Sequence, residues 1–491
     1  MEPECYVCLG AGPGPESASG PVACGCACRG TAGAAHVECM LARAVCTGGA
    51  CWVECGTCKA AFTGTMRARL AEACAEHFAA LDETSGARMA AAHNLARSRM
   101  SEGRLDEALA LATRLLEVRR AVDGEEAPAT LLAYGIVASC LVGKGAHARA
   151  ARIHRRVLSV RERLHGRGSE EALESLSGLA QCRMKAGAYE ESATMLREVH
   201  EALHALLGPR DPRTMHGAAN RACALMRCGH YAEASGMLRE VLATQRLVLG
   251  PEHRSTMLTA ASLGTSLSME GLLAESESVL RGVLETQRRV LGAEHPATLT
   301  SAGSLAACLL RHRKFDEAER AHEEWSAAQA RVLGAEHPVT LTGESGRASC
   351  RMHRGEHAAA ERAFRAVHET RARCLGPEHP HTQAAAVNVA AALMRQGNLE
   401  EAARVHRAAH AALVRALGHE HPSTLSAAAS LAAVLAEEGD LDAAVASARA
   451  VLAAQERVLG PHHPDAELSG RNLAFYLGRQ PPPPSKRARV G

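Results

Sequence analysis

The chain has 491 residues, of which 47% are apolar, 22% charged and only 2% aromatic, so its interior must be built from small aliphatic side chains, a composition that favours closely packed helices. Lys and Arg total 56 against 54 Asp and Glu, a net charge of +2, which excludes a global field able to hold the protein on nucleic acid or an anionic membrane. No apolar run of about 18 residues is free of charge, and Met1-Glu2-Pro3-Glu4-Cys5 offers neither a basic nor an apolar leader. The reading is a soluble, intracellular, cytoplasmic protein with no nucleic-acid and no membrane partner.

Residues 1–64 form the first expected domain. Ten of the 18 cysteines fall within the first 58 residues, and in a reducing compartment such clustering argues for metal rather than disulfides. The spacing gives four pairs of ligands: Cys5 with Cys8, Cys26 with Cys28, His36 with Cys39, and Cys55 with Cys58. Zinc takes four tetrahedral thiolate or imidazole ligands, so eight ligands serve two ions, and short gaps let backbone turns aim both members of a pair at one metal. So small a segment with few aromatics lacks a core, and metal binding would supply much of its folding free energy.

The order of ligands resembles the RING-CH, or RING-variant, zinc finger of E3 ubiquitin ligases, with Cys26-Ala27-Cys28-Arg29-Gly30 and His36-Val37-Glu38-Cys39-Met40 matching family segments. The resemblance implies a cross-braced fold in which Cys5, Cys8, His36 and Cys39 hold one zinc and Cys26, Cys28, Cys55 and Cys58 the other. Cys24 can stand in for Cys26 or Cys28, while Cys46 and Cys51 are left over. A PHD finger uses the same ligand types, but the gap of seven before His36 and Trp52 three residues before Cys55 favour RING-CH. The resemblance implies an enzyme without a nucleophile, which docks a ubiquitin-charged E2 conjugating enzyme and accelerates transfer by positioning. Val7 matches the contact to the conjugating enzyme and Lys59 the contact to ubiquitin. Arg43 stands where the family commonly has Trp.

Residues 65–86 read as a connecting helix that caps the repeats beyond it. From residue 87 to 478 the sequence repeats with a period of 42. Leu-Gly recurs at Gly208, Gly250, Gly292, Gly334, Gly376, Gly418 and Gly460. A second glycine column, offset by half a repeat, runs Gly103, Gly145, Gly187, Gly229, Gly271, Gly355, Gly397 and Gly439, with Arg313 its exception. Two breakers per repeat delimit two helices. Between them run columns of small residues, such as Ala108, Ala150, Ala234 and Ala318, and a column of large ones that assigns Trp325 to the core. His253, His295, His337, His379 and His421 recur at the same period and read as helix-start punctuation ahead of Pro296, Pro338, Pro380 and Pro422, not as a metal ladder. Cys74, Cys140, Cys182, Cys308 and Cys350 read as buried small hydrophobes.

The segment from Asn388 through Gly397 to Ala402 and on to Leu417-Gly418 resembles a tetratricopeptide (TPR) repeat of the 42-residue kinesin-light-chain type. The resemblance implies an all-α solenoid of nine helix pairs and a terminal helix, with the first helix of each pair lining a groove for a protein or peptide client. Asn94, Asn220, Asn388 and Asn472 occupy the position that grips an extended peptide in that family; Ile136, Gly178, Ser262, Ser304, Gly346 and Ser430 fill it elsewhere. Residues 479–491 are a Pro-rich basic tail, disordered by composition, in which Lys486-Arg487-Ala488-Arg489 is similar to a nuclear import signal. The combined expectation is a zinc-dependent RING-type E3 ligase whose solenoid recruits substrate; the alternative is a non-enzymatic TPR scaffold with a structural zinc finger.

Overall fold

The computed structural model describes residues 22–23, 34–35, 37–46 and 64–479. Cys5, Val7, Cys8, Cys24, Cys26, Cys28, His36, Cys51, Cys55, Cys58, Lys59 and the tail from residue 480 lie outside the described residues. Two two-residue strands, β1 (Val22–Ala23) and β2 (Ala34–Ala35), pair antiparallel with Val22 opposite Ala35. Helix α1 (Val37–Cys46) packs on α2 (Gly64–His77), and α2 on α3. The repeat helices follow in chain order: α3 (Gly86–Ser101), α4 (Leu105–Val122), α5 (Pro128–Gly143), α6 (His147–His165) and α7 (Glu170–Lys185), each packed on the one before it, then α8 (Tyr189–Leu207), α9 (Pro212–Arg227), α10 (Tyr231–Val248), α11 (Arg254–Glu270) and α12 (Leu273–Val290), again packed in succession. The series continues with α13 (Pro296–Arg311) and α14 (Phe315–Leu333), α15 (Pro338–His353) and α16 (His357–Leu375), α17 (Pro380–Arg395) and α18 (Leu399–Leu417), α19 (Pro422–Glu438) and α20 (Leu441–Leu459), and closes on α21 (Pro464–Arg479). The chain divides into two compact units, residues 1–185 and 186–491.

The helix starts explain the periodic histidines. Nδ1 of His253, His295, His337, His379 and His421 accepts a hydrogen bond from the backbone N–H two residues on, at 3.1–3.2 Å. Each imidazole thus satisfies one of the four amide donors that a helix start leaves unpaired, with proline locking the first turn in four of the five. The half-repeat turns need a left-handed residue, and glycine supplies it everywhere except Arg313, whose φ is 60°, the one non-glycine residue with positive φ among those described. A side chain there costs on the order of 1 kcal/mol. Arg313→Gly is therefore expected to raise stability by about 1 kcal/mol, read as a higher thermal midpoint; an unchanged or lowered midpoint would show that Arg313 gains an offsetting contact.

The core is shallow and built from close approach. Ala108, Ala150, Ala234, Ala318, Ala360, Ala402 and Ala444 are all fully buried at one helical position, which lets neighbouring backbones pack closely. Cys74, Cys140, Cys182, Cys308 and Cys350 are buried among them, and burial pushes the thiols of Cys74 and Cys350 up to about 11. Trp325 departs from expectation: it is half-buried, not core. Its ring is too large for a column filled mostly by valine, so it lies over Gly303, where an added Cβ would come within 2.7 Å of Cζ2.

Ion pairs recur along the outside. Arg289 meets Glu252, Arg331 meets Glu294, Arg415 meets Glu378 and Arg457 meets Glu420 at 2.6–2.8 Å, each joining the end of one second helix to the loop one repeat earlier. Glu277 is more deeply set. Burial alone would raise its pKa, but hydrogen bonds from Lys314, Arg281 and His312 outweigh that and hold it at about 2.

In unit two the chain meets itself far along the sequence. Nε2 of His463 lies 3.2 Å from the carbonyl of Arg227, 236 residues away, while Nδ1 of the same ring caps α21. Pro464 packs against Gly229 and Pro422 against Gly187 so closely that neither glycine has room for a Cβ, and both have φ near +85°.

Candidate functional site

The repeat places Asn94 on α3, Asn220 on α9, Asn388 on α17 and Asn472 on α21, at the same helical position each time. All four are half-buried, and none of their side-chain amides has a hydrogen-bond partner among the described residues. Ser304 of this column, on α13, accepts at 3.5 Å from Oγ1 of Thr265 on the preceding first helix, α11. The four amides do not form one cluster, because Asn220 and Asn388 are separated by the first helices α11, α13 and α15.

Three histidines missed at the sequence level, His154, His322 and His406, share one column of the second helices, and two of them reach the same face. At Gly346 the missing side chain leaves a space that the His322 ring fills, reaching from α14, and at Gly178 the ring of His154 does the same from α6. His322 is 5% exposed and neither ring nitrogen has a partner; His406, in the same column one helix pair beyond Phe364, is 1% exposed and equally unpartnered. Burial holds both imidazoles down at about 4. The signal was available in the register, since Leu196, Leu238 and Leu280 occupy that column in other repeats.

Of the eight proposed zinc ligands only Cys39 is described. It sits in the first turn of α1, half-buried and outside any disulfide, and a thiol at a helix start is a suitable metal ligand. Among the described residues no group of three or more His, Cys, Asp or Glu is placed to hold a metal, and no helix is long and apolar enough to cross a membrane.

Stacked antiparallel pairs of 42 residues, with small residues at each crossing, define a helical-repeat solenoid of the interaction class. Family models described as tetratricopeptide repeat match residues 88–163, 255–331 and 381–457 and, in a second version, 214–255 and 352–381, together more than half of the chain. The chain belongs to the tetratricopeptide-repeat proteins, and its repeats mark it as a protein–protein interaction scaffold. Solved structures similar to it include a kinesin light chain from Podosopora anserina with nearly identical TPR-like repeats, at 24% identity over 41% of this chain and 96% of that one with a TM-score of 0.37. Others are BtubC (BKLC) from P. vanneervenii, at 19% identity over 47% and 90% with a TM-score of 0.38, and a Rap protein complexed with competence and sporulation factor, at 11% over 79% and 98% with a TM-score of 0.47. No curated protein is a significant match to the chain.

Proposed function

We propose that the chain is a scaffold that holds an extended client peptide along the face of its first helices. The observation that carries this reading is the set of four half-buried asparagines whose amides no described residue claims. An asparagine amide offers one acceptor and two donors, the complement of a peptide backbone, and a helix position that could hold a better helix former is otherwise poorly spent on it. Once a client has been identified by cross-linking to the full-length protein, the Asn220→Ala, Asn388→Ala double variant is expected to bind it at least ten times more weakly with an unchanged thermal midpoint. Equal affinity would remove the asparagines from the site.

A second reading, E3 ubiquitin ligase, is favoured by the ligand spacing of residues 5–58. Seven thiolates and one imidazole suit two zinc ions, which would order the head so that Val7 and Lys59 present a charged E2 conjugating enzyme to a client held by the solenoid. Purified protein with activating enzyme, conjugating enzymes, ubiquitin and ATP should then build chains that vanish in Cys26→Ala. No chains with any conjugating enzyme would leave the scaffold as the whole function. Under either reading the protein acts in the cytoplasm, with access to the nucleus through Lys486–Arg489.

A further inference from the structure

Unit two carries a second opening, on the side of α9 away from Asn220. A cavity of about 470 Å³ lies between α8, α9 and α10, within the roughly 300–1,000 Å³ typical of ligand sites. Its floor is apolar: Met215 and Ala218 of α9 and Val241 of α10 are 2%, 3% and 7% exposed. His200 and His204 of α8 form one wall, Met237 and Glu240 of α10 the other.

Two positions of the repeat bound it. Position 200 is leucine in Leu116, Leu158, Leu242, Leu284 and Leu452 and histidine again in His368 and His410; here the imidazole has its Nδ1 buried without a partner and its ring meets His204 edge to face at 6.2 Å. At position 236 a glycine stands inside α10, and a Cβ placed there would meet nothing within 4 Å, so the space is open rather than filled by a neighbour.

Of the two carboxylates that line the cavity, Glu233 is paired with Arg221 and Glu240 is exposed at the rim. Glu240 has no ion-pair or hydrogen-bond partner for its carboxylate among the described residues. Burial lowers the pKa of His200, so at neutral pH it adds no positive charge. Arg221, the base that acts on His200, is committed to Glu233 at 3.1 Å and to Glu201 at 4.0 Å. The external ion-pair series also lapses here: Arg210 and Leu247 stand where the series has glutamate and arginine. Leu247 is 86% exposed one turn beyond Thr244 of the rim, with Leu206 at 54% nearby in sequence to His204. Apolar surface thus extends past the mouth, which suits a chain segment better than a small molecule.

We propose that this cavity is a docking site for a segment of a partner protein that places an aromatic or aliphatic side chain on Met215 and Val241 and a lysine or arginine on Glu240. The two methionines supply a wall that adapts to the inserted side chain, and the negative rim selects a basic residue beside it.

The test is to pan the full-length protein against a displayed library of random twelve-residue peptides and measure the enriched peptides by calorimetry. Gly236→Leu fills the cavity from a position with free space, in a helix where leucine is the better former, so the variant should melt no lower than the parent. The enriched peptides should pair an aromatic or leucine with a nearby Lys or Arg, and should bind at least tenfold more weakly to Gly236→Leu and several-fold more weakly to Glu240→Gln, with Asn220→Ala unchanged. Peptides that bind Gly236→Leu as well as the parent, that respond only to Asn220→Ala, or that lack basic residues would overturn the proposal, as would a library that yields no binder; a response to Asn220→Ala alone would at the same time support the first-helix face.

Discussion

Between pH 6.5 and 4, unit two is expected to lose on the order of 3 kcal/mol of stability for each of His322 and His406. Both rings are folded into a column built for leucine, and burial puts their pKa values at about 4 against an ordinary value of 6.5. The unfolded chain therefore takes up protons that the folded one refuses. The contribution is whole above pH 6.5 and disappears as the pH falls toward 4. Glu344 is the charged group that faces His322, and it opposes the effect only weakly; nothing comparable faces His406. Glu277, at about 2, adds its own loss at lower pH, between 4.5 and 2. Replacing both histidines with leucine, the residue of the same column in Leu196, Leu238 and Leu280, removes four buried ring nitrogens that have no partner. The double variant should melt higher than the parent at pH 7, by an amount equivalent to about 2 kcal/mol per site, and the gap should widen at pH 5. A parent whose melting temperature is the same at pH 7 and pH 5 would contradict this account.

Phe364→Ala should cost about 3–5 kcal/mol, the range for emptying a fully buried aromatic site. Phe364 is 2% exposed in a cluster with Ala348, Ala360, Val389, Ala390 and Leu393, which ties α15, α16 and α17 together. Its neighbours are mostly alanine, too short to collapse into the space left behind. Because each repeat in such an array rests mainly on its neighbours, the damage should be regional. Hydrogen exchange should accelerate across α15–α18 far more than in α9–α12. Phe364→Leu, which restores the residue common to this column, should recover most of the loss; a uniform acceleration throughout unit two would mean that it unfolds as one block.

The period of 42 and its two glycine columns made the helix boundaries legible in the sequence, because chain reversal without glycine is costly and the cost recurs at every turn. Arg313 was visible as an anomaly for the same reason. What register could not convey was depth. Trp325 lies in a core column yet is half-buried, since its size, not its position, decides how far it enters. The histidines were legible only in part: those before proline punctuate helix starts, and the structure adds that their rings cap them, whereas His154, His322 and His406 sit in the leucine column and were not singled out. The asparagine column was readable, but not that imidazoles from neighbouring helices fill the places beside Gly178 and Gly346. Nor does a regular repeat announce where contacts thin out, so the division after Lys185 was invisible.

The meeting of His463 and Pro464 with Arg227 and Gly229 turns much of unit two into a hoop. A linear array behaves as a spring: it frays from its ends, and each pair can hinge without consulting the others. A hoop has lost that independence. Its inner circumference is set by the helices between these contacts, so the opening widens only if every crossing yields a little or if the contacts at His463–Pro464 and at Pro422 let go together. Detaching the last helix would then be felt on the opposite rim, at the foot of α10, before it reached the repeats in between.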